Sequence, residues 1–89
     1  MAVVIGRLAA DPELWYTVAG TPLAEFSLVA TGESGEEHIR ICSTGRLAER
    51  CAEHLAKDFV VEVRGSIETR NGKRCLVADK IHGQGIGGL

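Results

Sequence analysis

Apolar and polar residues alternate with period two through most of this chain, and the alternation is punctuated by turns. Val3–Leu8 begins it as an apolar strand. Asp11-Pro12 marks a bend, because Pro removes a backbone donor and restricts the residue before it. Leu14–Val18 resumes extended structure, giving one long bent strand, and Ala19-Gly20-Thr21-Pro22 is a turn. From Pro22 to Ala30, Ala24, Phe26, Leu28 and Ala30 face one way, and Leu23, Glu25, Ser27 and Val29 the other. That pattern predicts a strand with one face in a core. Gly32–Glu36 reads as a short polar loop. Glu37–Thr44 is a third strand, with Ile39 and Ile41 on one face and His38, Arg40 and Cys42 on the other.

The period then changes. Leu47, Cys51 and Leu55, with Ala48 and Ala52 beside them, form a stripe at helical spacing, while Arg46, Glu49, Arg50, Glu53 and His54 form a wet face. A helix is expected from about Gly45 to Lys57, capped by Ser43 or Thr44 and supported by a Glu53–Lys57 pair four residues apart. Phe59–Arg70 returns to period two. Asn71-Gly72 is a strong type I′ hairpin signal, and Lys73–His82 is a fifth strand. Gly83–Leu89 is expected to be a loose Gly-rich tail. One helix between the third and fourth of five strands predicts an all-β fold, a five-stranded Greek-key OB-fold barrel. Closure would also remove the exposed edges of so many short strands. The expected division is residues 1–82 as the barrel domain and 83–89 as the tail.

Eighty-nine residues allow one domain, and a chain this short buries only roughly 60–65% of its unfolded surface. Oligomerisation would be a natural supplement. No apolar run approaches the ~20 residues of a membrane span, and Met1-Ala2-Val3-Val4 lacks the basic start of a signal peptide; the expected compartment is the cytoplasm. Cys42, Cys51 and Cys75 form no C-x-x-C pair, which argues against a disulfide framework or a metal site. They read as small buried hydrophobes. The net charge of −2 counts against a domain devoted wholly to gripping phosphates, although a basic stripe can coexist with acidic residues elsewhere.

The spacing of Gly6, Leu8, Asp11-Pro12-Glu13, Tyr16, Gly20 and Ala30-Thr31 resembles the N-terminal signature of bacterial-type single-stranded DNA-binding proteins. The likeness continues through Glu37–Glu49, which resembles the family's third strand and helix start, and through His54-Leu55-Ala56-Lys57, Val61–Gly65, Thr69-Arg70 and Val77-Ala78-Asp79, and so covers nearly the whole chain. The resemblance implies sequence-independent single-stranded DNA binding in replication, repair or recombination, with no cofactor. It implies a homotetramer built as a dimer of dimers, with the first strand (Val3, Val4, Ile5) pairing with its twin. The departures also matter. His38 and Thr44 stand where the family usually carries a Trp and a Phe, and both long hairpins are short here. The family's long linker and acidic C-terminal tip, which recruits partner proteins, are not among these residues. Weaker DNA binding than is typical of the family is therefore expected. The alternative is a protein-interaction or assembly module, like a primosomal accessory protein, with little DNA affinity.

Non-specific single-strand binding needs cations that track the backbone and flat side chains on which bases stack. Trp15 and Tyr16 are adjacent on a strand, so at most one of them faces the ligand. Trp15 is either a stacking platform or a packing residue, and His38 either a weaker platform or a solvated side chain. Phe26 belongs to the core face. Arg40, Arg46, Lys57 and Arg70 fall where the family is commonly basic, and Lys73 and Arg74 flank the hairpin tip; together they form either a stripe or ordinary surface charge. Arg7 and Arg64 are weaker candidates, and Glu37, Glu62 and Glu68 would dilute the field. An enzyme is not expected. The chain has no H-E-x-x-H, P-loop, G-x-S-x-G or C-x-x-C motif. No small-molecule substrate, metal or membrane is implied.

Overall fold

Alternation along β1 (Ala2–Leu8) leaves Val3, Ile5 and Arg7 exposed while Val4 packs against the core and Leu8 is fully buried. In this computed structural model, residues 1–32, 35–70, 72–85 and 87–89 are described, without the side chains of 31, 32 and 70. After the corner at Pro12 the chain continues as β2 (Glu13–Tyr16). The corner is stitched to the segment that precedes the fourth long strand. Asp11 Oδ1 accepts the Lys57 N–H at 2.9 Å, and Leu8 exchanges backbone hydrogen bonds with Asp58 and Phe59. The turn from Thr17 to Thr21 is closed by backbone bonds and by the Thr17 hydroxyl, which accepts the Thr21 N–H at 3.1 Å.

β3 (Pro22–Gly32) and β4 (Gly35–Thr44) form an antiparallel hairpin paired from Leu23↔Thr44 to Gly32↔Gly35. The third strand thus begins two residues before the expected Glu37; Glu33 and Ser34, in the expected loop, lie outside the described residues. α1 (Gly45–His54) follows. β5 (Val60–Arg70) and β6 (Lys73–Gly83) form the second long hairpin. Its two-residue connection holds Gly72 at φ +76°, while Asn71 of the expected turn lies outside the described residues.

Closure is explicit in the pairing. β1 pairs with β5, β5 with β6, β6 in parallel with β4 at Ile41↔Leu76 and Cys42↔Val77, β4 with β3, and β3 again with β1 at Arg7↔Val29 and Leu8↔Leu28. These five strands make the closed barrel that the pattern predicts, and β2 extends the sheet along β3 beyond the corner. Two glycines permit the crossings. A Cβ on Gly6 would stand 2.5 Å from the Val29 carbonyl oxygen, and one on Gly65 would run into the Val77 carbonyl, beside a bulge at Arg64/Gly65. Leu8, Phe26, Leu28, Ile41, Val61, Val63, Leu76 and Ile81 fill the interior, joined by Ala48, Cys51 and Leu55 of the helix segment.

The helix starts at Gly45 as expected and differs from expectation in its cap bond and its C-terminal end. Thr44 is the N-cap residue without a side-chain cap bond. Ser43 faces inward and its hydroxyl donates to Cys51 Sγ at 3.8 Å. Burial pushes the Cys51 thiol pKa up, and the Ser43 hydrogen bond opposes that shift. The helix stops at His54, with Leu55 already extended and Asp58 at φ +73°, so the helical Glu53–Lys57 pair does not form. Glu53 instead lies 3.7 Å from His54 Nε2. The Gly-rich end is not loose. β7 (Gly87–Gly88) pairs with His82–Gly83, and the Leu89 N–H donates to the Ile81 carbonyl at 2.8 Å. Gly85 and Gly87, both at positive φ, allow that reversal.

Candidate nucleic-acid interface

Register and alternation sort the side chains of β2, β3 and β4 into two faces. Directly paired strand residues project to the same side of a sheet, so the outer face carries Trp15 with Leu23 and Thr44, then Glu13 with Glu25 and Cys42, then Ser27 with Arg40, then Val29 with His38. The opposite side carries Phe26 and Ile41 into the core. Trp15 and Tyr16 part accordingly. Trp15 stands on the outer face, 40% exposed. Tyr16 turns to the helix side, where its hydroxyl donates to Glu49 Oε2 at 3.4 Å. Trp15, His38 and Arg40 therefore share one face.

The other expected cations divide. The Lys57 backbone bond to Asp11 sets this residue at the corner that bounds the outer face. Lys73 and Arg74 are both exposed at the start of β6. As neighbours on a strand they project to opposite sides; Lys73 has the parity of Val77, which pairs with outer-face Cys42, and Arg74 that of core Leu76. Arg46 stands on the helix, beside Glu49, Arg50 and Glu53. The side chain of Arg70 lies outside the described residues. In β1, Val3 and Ile5 are exposed, whereas Val4 points inward.

The outer face also holds carboxylates that the sequence reading did not single out. A cleft of about 260 Å³ at the β1–β2 corner is walled by Asp11, Glu13, Glu25, His38 and Arg40. Glu25 Oε1 lies 3.1 Å from Arg40 Nε, so the central cation of this face already has an anionic partner. Arg7 is likewise paired, 3.3 Å from Glu36 and 3.8 Å from Asp58, and Arg64 lies 3.6 Å from Glu62. The signal for Glu25 was present in the alternation, which puts it opposite Phe26. The signal for Glu13 required the register across the Thr17–Thr21 turn. Among the described residues no cluster of His, Cys, Asp and Glu is arranged to hold a metal ion, and no helix is long and apolar enough to cross a membrane.

Residues 1–75 match the profile of the single-strand binding protein family. The chain is 39% identical over 75 residues to the single-stranded DNA-binding protein of Caldanaerobacter subterraneus subsp. tengcongensis, a match covering 76% of this chain and 50% of that protein. It is 37% identical over 89 residues to single-stranded DNA-binding protein A of Bacillus subtilis, covering 86% of this chain and 52% of the relative. A crystal structure of a deletion mutant of the single-stranded DNA binding protein from Thermus aquaticus shares the fold with a TM-score of 0.85. It is 26% identical, and the match covers 92% of this chain and 39% of that one. The chain thus spans about half the length of the curated relatives it matches.

Proposed function

Because this chain belongs to the single-strand binding protein family, we propose that it binds single-stranded DNA without reading its sequence, along the outer face of β2, β3 and β4. The observation that carries this reading is the placement of an exposed Trp15 on the same face as His38 and Arg40, with Lys57 at its corner. A base stacked on an aromatic ring contributes about 1–3 kcal/mol. Cations that neutralise three or four phosphates would give a log K against log salt slope of about −2 to −3. One exposed tryptophan and an Arg40 already paired to Glu25 support an affinity below that of a face with several platforms and free cations. We also infer self-association through β1, where Val3 and Ile5 are exposed, into a homotetramer serving replication, repair or recombination.

A second reading, an assembly module with little DNA affinity, is favoured by the carboxylates that line the outer cleft. Anisotropy of a fluorescein-labelled dT35 oligonucleotide at 50 mM salt, with native mass measurement of the complex, decides between the two. The first reading expects salt-sensitive binding. Absence of binding to oligonucleotides of 35 to 70 nucleotides overturns it in favour of the second.

A further inference from the structure

We propose that Glu25 sets the DNA affinity of the outer face by competing with phosphate for Arg40, an inference that rests on the reading of this face as a single-stranded DNA surface. Glu25 and Glu13 are directly paired across β3 and β2. Like charges directly opposite one another on a sheet repel. Arg40 reaches across from β4 to meet Glu25, Nε to Oε1 at 3.1 Å, and so offsets that repulsion in the free protein. The Arg40 side chain is about half exposed and that of Glu25 less so, at 47% and 30%, which leaves the pair open to solvent and to an incoming anion.

A carboxylate and a phosphate use the same planar donor fork of arginine. Phosphate engagement by Arg40 therefore displaces Glu25 and returns two facing carboxylates to an uncompensated state close to a polyanion. Glu25 acts through Arg40, as a positioning residue. Removing its charge frees Arg40 and also removes one source of repulsion. Arg7, which pairs with Val29 at the β1 end of this face, shows a related arrangement with Glu36 and Asp58.

The test is a four-protein cycle of wild type, Glu25→Gln, Arg40→Gln and the double variant. Each is titrated with fluorescein-labelled dT35 between 50 and 300 mM salt. Glu25→Gln is expected to bind about fivefold tighter at 50 mM salt, near the upper end of what an exposed ion pair is worth. Its salt dependence should steepen by about 0.7 in log–log slope, one additional phosphate contact on a single strand. In the Arg40→Gln background the same change should give less than twofold and leave the slope unchanged. A purely structural effect of Glu25→Gln would not move the slope. Equal gains in both backgrounds, or no gain when wild type binds, overturn the role of Glu25 and leave the proposed function standing. Failure of all four proteins to bind overturns both.

Discussion

Gly6→Ala is the substitution whose cost follows most directly from the closure of the barrel. The new Cβ would stand 2.5 Å from the Val29 carbonyl oxygen, 3.0 Å from its carbon and 3.4 Å from the Ala30 nitrogen. All three are backbone atoms and cannot rotate away. Carbon–oxygen contacts settle near about 3.3 Å or beyond, so β1 and β3 must separate where they meet. That junction has only two paired positions, Arg7↔Val29 and Leu8↔Leu28. Overpacking ordinarily costs about 1–3 kcal/mol, and each weakened backbone hydrogen bond adds about 1 kcal/mol. A total near 3 kcal/mol is expected, a large share of the roughly 5–15 kcal/mol that holds a domain folded. For a domain of this size that lowers Tm by about 12–24 °C. The assay is thermal and urea unfolding by circular dichroism at one fixed protein concentration. Gly88→Ala is the control, since its Cβ would meet nothing closer than His82 Nδ1 at 3.8 Å; a change within about 0.5 kcal/mol is expected there. A Gly6→Ala protein within 1 kcal/mol of wild type, or an equal loss in Gly88→Ala, would refute the close-approach argument.

Two further outcomes follow from the geometry. Trp15→Ala should weaken dT35 binding by about 5- to 150-fold, the equivalent of one lost stack, with little change in Tm. Tyr16→Ala should leave affinity within about twofold and cost a little stability through the lost Glu49 contact, and the reverse pattern would exchange the roles of the two rings. Burial raises the Cys51 thiol pKa, so above the ordinary thiol range, about 8.5, the folded protein keeps a proton that the unfolded chain has lost. Stability should be level from pH 7 to 8 and decline as pH rises past about 9. Urea midpoints across that range should show the decline flattened in Cys51→Ala; an unchanged pH dependence would contradict it.

The strands were legible because one face of each is buried. Phe26 and Leu28 alternate with Glu25 and Ser27, and the core of the barrel uses that alternation directly. The helix end was not legible, since the Leu47–Cys51–Leu55 spacing runs on past His54. What stops the helix is a tertiary tie, the Lys57 N–H held by Asp11, and a left-handed Asp58. The glycines of the tail predict a loose end, but the same glycines let it reverse onto β6. For the candidate site, parity separated Trp15 from Tyr16, yet it could not pair Glu25 with Arg40. That pairing depends on the β3–β4 register, which joins residues fifteen positions apart. Arg46 stands on the helix among Glu49, Arg50 and Glu53, and Arg74 is exposed near the start of β6 with the parity of core Leu76.

The chain has a single tryptophan, and it stands on the outer β2–β3–β4 face, so its emission reports directly on whether single-stranded DNA lies there. Titration with poly(dT) at 50 mM salt should quench Trp15 fluorescence, and raising the salt to about 0.5 M should restore it as phosphate contacts are lost. Unchanged emission, whether DNA fails to bind or binds without quenching, would contradict the placement of the strand on this face.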